Sequence, residues 1–300
     1  MKARRGTLSA ISLAAGLFML GSPALLHAQT TPSSGKPTSA PTPAPTPSTA
    51  TPPLDLPKDD SKSSALPLDS APPVNAEEDA AAKAFQDAPR ADATKKIDLG
   101  EAFAKKYPNS RYLPVIYSNL TMLYLNTNQV QKMEEVGDKE VTLTPTDVQT
   151  MAILGQTIPR ALSSGPDAQK ELTKAEDYSK RAIEVTPTIS KPLNLTDQQF
   201  ADAKNVTLAM AHSGLGLIYL KRGKYNDAIQ ELEQSVKLDP TPDPVNYYLL
   251  GMANQKASHF TDAMDAFTKC ASTQGSLQQT CKNGAEEAKK LSNTQLSVPK

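Results

Sequence analysis

From residue 76 onward the chain carries apolar residues at helical spacing, and this pattern predicts a succession of amphipathic α-helices. The clearest apolar stripe, at intervals of three and four residues, consists of Tyr225, Ile229, Leu232 and Val236. A basic segment with a glycine, residues 221–224, comes directly before this stripe, as is typical of a helix end. Pro240 follows the stripe and predicts the end of the second helix. The pattern therefore indicates a helical hairpin with its turn near Gly223.

The features of this hairpin recur 35 residues further along the chain. Leu215-Gly216 recurs as Leu250-Gly251, Tyr225 as Phe260, Asp227-Ala228-Ile229 as Asp262-Ala263-Met264, and Leu232 as Phe267. Self-similarity at a fixed period of this length predicts stacked copies of one structural unit rather than an ordinary globular domain.

Segments 209–242 and 244–277 resemble the tetratricopeptide repeat. The signature places in the first segment are held by Leu215, Gly216, Tyr219, Ala228, Leu232 and Pro240, and in the second by Leu250, Gly251, Ala263 and Phe267. The second segment departs from the pattern at Asn254 and Gly275, which replace an aromatic residue and a proline. The resemblance implies an all-α fold, an α-solenoid of helical hairpins that binds proteins in a groove and does not catalyse a reaction.

Weaker matches extend the predicted repeat domain over residues 76–292, with a tail at 293–300. Thr196 and Gln199 have the spacing of a capping box, which predicts the start of a long helix that ends near Arg222. Residues 276–292 are expected to form a C-terminal closing helix, because the last hairpin of a solenoid must be covered. We therefore predict about five hairpins and one closing helix.

The first 75 residues are of a different kind. Lys2, Arg4 and Arg5 precede an apolar stretch that ends at Ala28, so residues 1–28 have the pattern of a secretory signal peptide cleaved after Ala28. The alternative is an uncleaved membrane anchor. Residues 29–75 hold 12 of the 25 prolines, which predicts a disordered linker that acts either as a spacer or as a ligand for a proline-binding domain. The mature protein is expected in the periplasm or secreted, without a membrane span.

The resemblance assigns a binding groove to the first helix of each hairpin. By the register of the family, the residues expected to line it are Leu217, Leu220, Lys221, Tyr248, Met252 and Lys256. An apolar groove with two cations could hold an extended peptide or a partner's helix. The alternative is that Leu217 and Met252 pack inside the solenoid.

Little in the sequence suggests catalysis or a cofactor. His212 and His259 have no evident nucleophile or carboxylate beside them, and no phosphate-binding loop or metal motif occurs, so no enzyme, cofactor or metal site is predicted. The formal net charge is 0, and loss of Lys2, Arg4 and Arg5 with the signal leaves about −3, which argues against binding to nucleic acid.

Cys270 and Cys281 are the only two cysteines of the chain. In an exported protein we expect them to form a disulfide that fixes the closing helix. The alternative is a pair of buried, reduced thiols.

Taken together, these patterns predict a protein-interaction scaffold or assembly factor of the cell envelope. The alternative is an accessory or regulatory subunit of an envelope enzyme such as a peptidase.

Overall fold

The computed structural model describes residues 75–297, with the exception of residues 90, 164 and 194. Within this range the chain forms eleven α-helices, a short 3₁₀ turn at Thr186–Thr188 and no β-strand. The helices are α1 (Ala76–Asp87), α2 (Ala93–Lys106), α3 (Leu113–Asn126), α4 (Val130–Leu143), α5 (Val148–Ala161), α6 (Ala168–Val185), α7 (Asp197–Lys221), α8 (Tyr225–Leu238), α9 (Pro244–Lys256), α10 (Phe260–Ala271) and α11 (Gln278–Ser297).

Consecutive helices pack in pairs, so that α1 to α10 form five hairpins and α11 covers the last one. The all-α solenoid predicted from the sequence is therefore confirmed. Each hairpin buries large apolar side chains between its own helices and against the next hairpin. The fully buried side chains include Phe85, Ile116, Leu120, Met151, Leu232 and Phe267.

Three of the hairpin turns have the same backbone geometry. Each has one residue with positive φ, namely Asn128 (57°), Gly223 (73°) and Ser258 (65°). In each turn the next amide donates to a carbonyl five residues earlier: Gln129 to Tyr124 at 2.8 Å, Lys224 to Tyr219 at 2.9 Å and His259 to Asn254 at 2.9 Å. This bond satisfies a carbonyl that the helix end leaves free. The hairpins α3–α4, α7–α8 and α9–α10 therefore share the same type of turn.

The long helix α7 begins with the predicted capping box. The backbone amide of Gln199 donates to Oγ1 of Thr196 at 3.2 Å, and the amide of Thr196 donates to Oε1 of Gln199 at 3.0 Å. These two bonds satisfy amides that have no partner inside a helix. The helix then continues for 25 residues and enters the solenoid only in its second half, from about Ala209 onward.

Close packing inside the two C-terminal hairpins depends on glycine. A Cβ atom on Gly216 would lie 2.5 Å from Cγ of Leu232, and one on Gly251 would lie 2.7 Å from the ring of Phe267. A side chain at either position would overlap its partner in the second helix. The glycine of each Leu-Gly pair thus lies against the large apolar residue of the second helix, and this contact explains why the two recur at the same spacing in both hairpins.

Helix α11 continues to Ser297, past the boundary expected at residue 292. No glycine or proline occurs between Ser292 and Pro299, so nothing in the sequence stops the helix earlier. The predicted signal peptide, linker and last tail residues lie outside the described residues. Among the helices that are described, none has the length and apolar character needed to cross a membrane.

Candidate functional site

The six residues predicted to line the groove lie on α7 and α9, the first helices of two consecutive hairpins. Leu217, Leu220 and Lys221 share one face of α7, and Tyr248, Met252 and Lys256 are spaced one turn apart on α9. The four apolar side chains are half-buried, whereas the two lysines are exposed.

The four apolar residues of this set pack in part against the core of the solenoid. Leu217 and Leu220 pack against the core formed by residues such as Leu232 and Leu249. Tyr248 and Met252 pack against Phe267 and the closing helix, and the rings of Tyr248 and Phe267 are 5.9 Å apart. Each of these residues therefore supports the solenoid and leaves part of its side chain at the surface.

Lys221 lies beside the end of the preceding first helix. Its Nζ donates to the backbone carbonyl of Leu162, 3.3 Å away, which directs the ammonium along the face that α5 and α7 share. Arg222, next to it, binds Glu176 and Thr173 of α6 and so fixes the end of α7 on the second helix of the preceding hairpin.

A polar network that the sequence did not reveal joins three consecutive first helices. Nη2 of Arg160 on α5 donates to Oγ of Ser213 on α7 at 3.1 Å and to Oδ1 of Asn246 on α9 at 3.2 Å. Ser213 donates to the same Asn246 oxygen at 2.6 Å. Nδ2 of Asn246 donates to Ser235 at 3.1 Å, and Ser235 donates to the carbonyl of Ala209 at 2.8 Å. Ser213, Ser235 and Asn246 are buried, so the network lies in the interior of the solenoid.

Arg160 is the charged member of this network. Its side chain is 22% exposed, and Nη1 lies 3.5 Å from Oδ2 of Asp243, the residue that caps α9. Burial lowers the pKa of the Arg160 guanidinium, and the nearby Asp243 carboxylate opposes that shift. Nε has no partner among the described residues. These contacts hold the Arg160 guanidinium in a fixed orientation between α5, α7 and α9.

The expectation that His212 lacks a carboxylate neighbour is wrong. Nδ1 of His212 lies 2.6 Å from Oε2 of Glu231, because α8 folds back along α7 and brings together residues 19 positions apart. The contact joins the two helices of one hairpin. Within the described residues no group of histidine, cysteine and carboxylate side chains is arranged to hold a metal ion.

Cys270 on α10 and Cys281 on α11 are adjacent and fully buried. Their Cα atoms are 5.8 Å apart, and the two sulfur atoms are within bonding distance. The structure therefore permits the disulfide predicted from the sequence. A Cβ atom on Gly284 of α11 would lie 2.9 Å from the ring of Phe267, so a glycine at this position lets the closing helix approach α10.

Comparison with known proteins agrees with the repeat read from the sequence. Residues 209–242, which include the second half of α7 and all of α8, match the family model of the Tetratricopeptide repeat. Over 135 residues the chain is 24% identical to anaphase-promoting complex subunit 7 of Dictyostelium discoideum. That alignment covers 42% of this chain but only 23% of the relative.

Solved structures with a similar arrangement of helices include a thermophilic tetratricopeptide-repeat protein of Thermus thermophilus. It is 19% identical, with a TM-score of 0.43, and the match covers 70% of this chain and 98% of that one. PilW, a widely conserved type IV pilus biogenesis factor, is 13% identical with a TM-score of 0.48, and the match covers 74% of this chain and 93% of PilW.

Proposed function

We propose that this chain, which carries a tetratricopeptide repeat, is a non-catalytic scaffold or assembly factor of the cell envelope that binds partner proteins in its groove. The groove is the surface formed by the first helices α3, α5, α7 and α9. The observation that carries the proposal is the placement of half-buried apolar side chains beside exposed cations on consecutive first helices, as at Leu217 with Lys221 and at Met252 with Lys256.

Such a surface suits a protein segment better than a small molecule. Exposed parts of Leu217, Leu220 and Met252 offer apolar contact along neighbouring helices rather than in one enclosed cavity. Extended surfaces that run across stacked repeats are the usual binding faces of solenoids. Apolar contacts supply affinity at such interfaces, and rim charges mainly set the association rate and specificity.

Location in the envelope is part of the proposal and rests on the N-terminal sequence pattern. A basic segment, an apolar stretch and a small residue at Ala28 favour export, and the juxtaposition of Cys270 and Cys281 suits an oxidising compartment. The second candidate, an accessory subunit of an envelope peptidase or a similar enzyme, shares the groove and differs only in the partner.

Affinity capture from envelope fractions tests both candidates. The full chain would carry a photoreactive amino acid either at Lys256, in the groove, or at Lys237, an exposed lysine on the second helix α8. We expect a cross-linked partner at position 256 and none at 237. Assembly proteins among the cross-linked partners support the first candidate, and an enzyme supports the second. Cross-linking at 237 alone contradicts the groove proposal.

A further inference from the structure

In the last four hairpins the acidic residues are concentrated on the second helices, whereas α1, the first helix of the first hairpin, contains Glu77, Glu78, Asp79 and Asp87. The first helices α3, α5 and α9 contain no Asp or Glu, and neither does the part of α7 from residue 203 to residue 221. Each of the second helices α4, α6, α8 and α10 contains at least two. The proposed groove surface on α3, α5, α9 and residues 203–221 of α7 is therefore without carboxylates, in a chain whose acids and bases are equal in number.

Cations recur at one position of this acid-free surface. Arg160, Lys221 and Lys256 each lie six residues after the leucine of a Leu-Gly pair, so that three consecutive hairpins contribute one cation each. Arg160 is paired with Asp243. Lys221 and Lys256 form no ion pair within the part of the chain that the structure describes. Two exposed positive charges are thus available to a bound segment.

Half-buried apolar side chains lie along the same face as these cations. Leu217 precedes Lys221 by one helical turn, and Met252 precedes Lys256 by one turn. A partner that fits must therefore alternate apolar contact with negative charge. A basic partner would meet the like charges of Lys221 and Lys256 and gain nothing from Asp243, whose carboxylate already faces Arg160.

We propose that the occupant of the groove is an extended protein segment in which Asp or Glu residues recur among apolar residues at about every third position. This inference rests on the proposed groove function and names the chemistry of its partner. Neighbouring packed helices are roughly 8–10 Å apart, and an extended chain advances about 3.3 Å per residue. Lys221 and Lys256, on consecutive first helices, then correspond to carboxylates about three residues apart in the bound segment.

Three synthetic peptides test the inference directly by fluorescence anisotropy on the purified mature chain. They share the same apolar residues and differ only at every third position, which is Glu, Gln or Lys. We expect the Glu peptide to bind most tightly and to weaken as salt is added, because exposed charge pairs are screened. The Lys peptide should bind most weakly.

Charge reversal assigns the effect to the two lysines. The double variant Lys221→Glu, Lys256→Glu should bind the Glu peptide about tenfold more weakly, which corresponds to about 1.4 kcal/mol. It should also gain affinity for the Lys peptide. The matched control Lys237→Glu, on α8, should leave both affinities unchanged. Circular dichroism of the double variant should match that of the unmodified chain, because both lysines are exposed and their replacement should preserve the helices.

The outcomes separate this inference from the groove proposal. Equal binding of the Glu and Gln peptides overturns the role of charge but leaves an apolar groove in place. Preference for the Lys peptide, or no binding of the Glu peptide, also overturns the inference. In that case the comparison of cross-linking at positions 256 and 237 still tests the groove proposal independently. A single-stranded oligonucleotide should compete less well with the labelled Glu peptide than unlabelled Glu peptide does. Equal competition would indicate a general polyanion site and would also contradict the inference.

Discussion

Arg160 on α5 and Asn246 on α9 are joined by a hydrogen bond of 3.2 Å although 86 positions separate them in the chain. Ser213 of the intervening first helix, α7, bonds to both residues. The network ties three consecutive hairpins together, whereas apolar packing alone would allow small rotations between them. We infer that it fixes the angle between hairpins and with it the shape of the groove.

Asn246→Ala should lower the free energy of unfolding by about 1–3 kcal/mol, because the change removes the partner of a buried Ser213 hydroxyl and of the Arg160 guanidinium. Chemical denaturation followed by circular dichroism measures this loss. Asn226→Ala, at an exposed position on α8, is the control and should change stability by less than about 0.5 kcal/mol. Equal stability of the two variants would show that the network is energetically neutral.

A second prediction concerns the contact between Gly216 and Leu232. Gly216→Ala should destabilise the chain by about 1–3 kcal/mol, since its Cβ would overlap the Leu232 side chain. Leu232→Ala alone should cost about 2–5 kcal/mol, and Phe267→Ala a similar amount, because both side chains are fully buried. Leu193→Ala, at a fully exposed position, should have almost no effect.

The double variant makes this prediction specific. With Leu232 already shortened, the added methyl of Gly216→Ala has room, and the better helix propensity of alanine should leave stability unchanged or raise it by up to about 1 kcal/mol. If Gly216→Ala costs the same in both backgrounds, backbone conformation rather than the contact with Leu232 requires the glycine.

These contacts show which part of the structure the sequence could predict. The hairpins α7–α8 and α9–α10 were predictable because their signature residues repeat 35 positions apart, and the start of α7 was predictable because Thr196 and Gln199 are close in sequence. The turns at Asn128 and Ser258 were harder to predict, because each adopts positive φ without a glycine. The Arg160 network and the contact between His212 and Glu231 depend on how helices stack, which local patterns do not encode.

Glu140 gives the chain a pH-dependent stability. Its side chain is 2% exposed. Burial, together with the nearby negative charge of Asp147, raises the pKa of Glu140 to about 7. The folded state therefore binds this proton more tightly than the unfolded state, so stability should fall as pH rises from about 4.5 through about 7. Glu140→Gln should remove this fall and be more stable than the unmodified chain at pH 8.

Thermal unfolding at a series of pH values measures the effect. Glu135→Gln is the matched control on the same helix, because the hydrogen bond from Lys139 lowers the pKa of Glu135, a shift opposite in direction to that of Glu140. A Glu140→Gln profile parallel to that of the unmodified chain would show that folding does not raise the pKa of Glu140.

The proximity of Cys270 and Cys281 leads to a prediction about the closing helix. Mass spectrometry of the exported protein should show two hydrogens fewer than the reduced chain, and reduction should lower the free energy of unfolding by about 3 kcal/mol. The double variant Cys270→Ser, Cys281→Ser should not respond to reductant. Two free thiols in exported material would contradict the disulfide and weaken the argument for an oxidising compartment.

The central claim, that the groove on the first helices binds a partner protein, is tested most directly by lysine labelling. The purified chain is acylated with and without a partner obtained by affinity capture, and the rate at each lysine is read by mass spectrometry. We expect the partner to slow labelling at Lys221 and Lys256 and to leave the exposed Lys237 of α8 and Lys282 of α11 unchanged. Slower labelling at Lys237 or Lys282, with Lys221 and Lys256 unaffected, would place the partner elsewhere and contradict it.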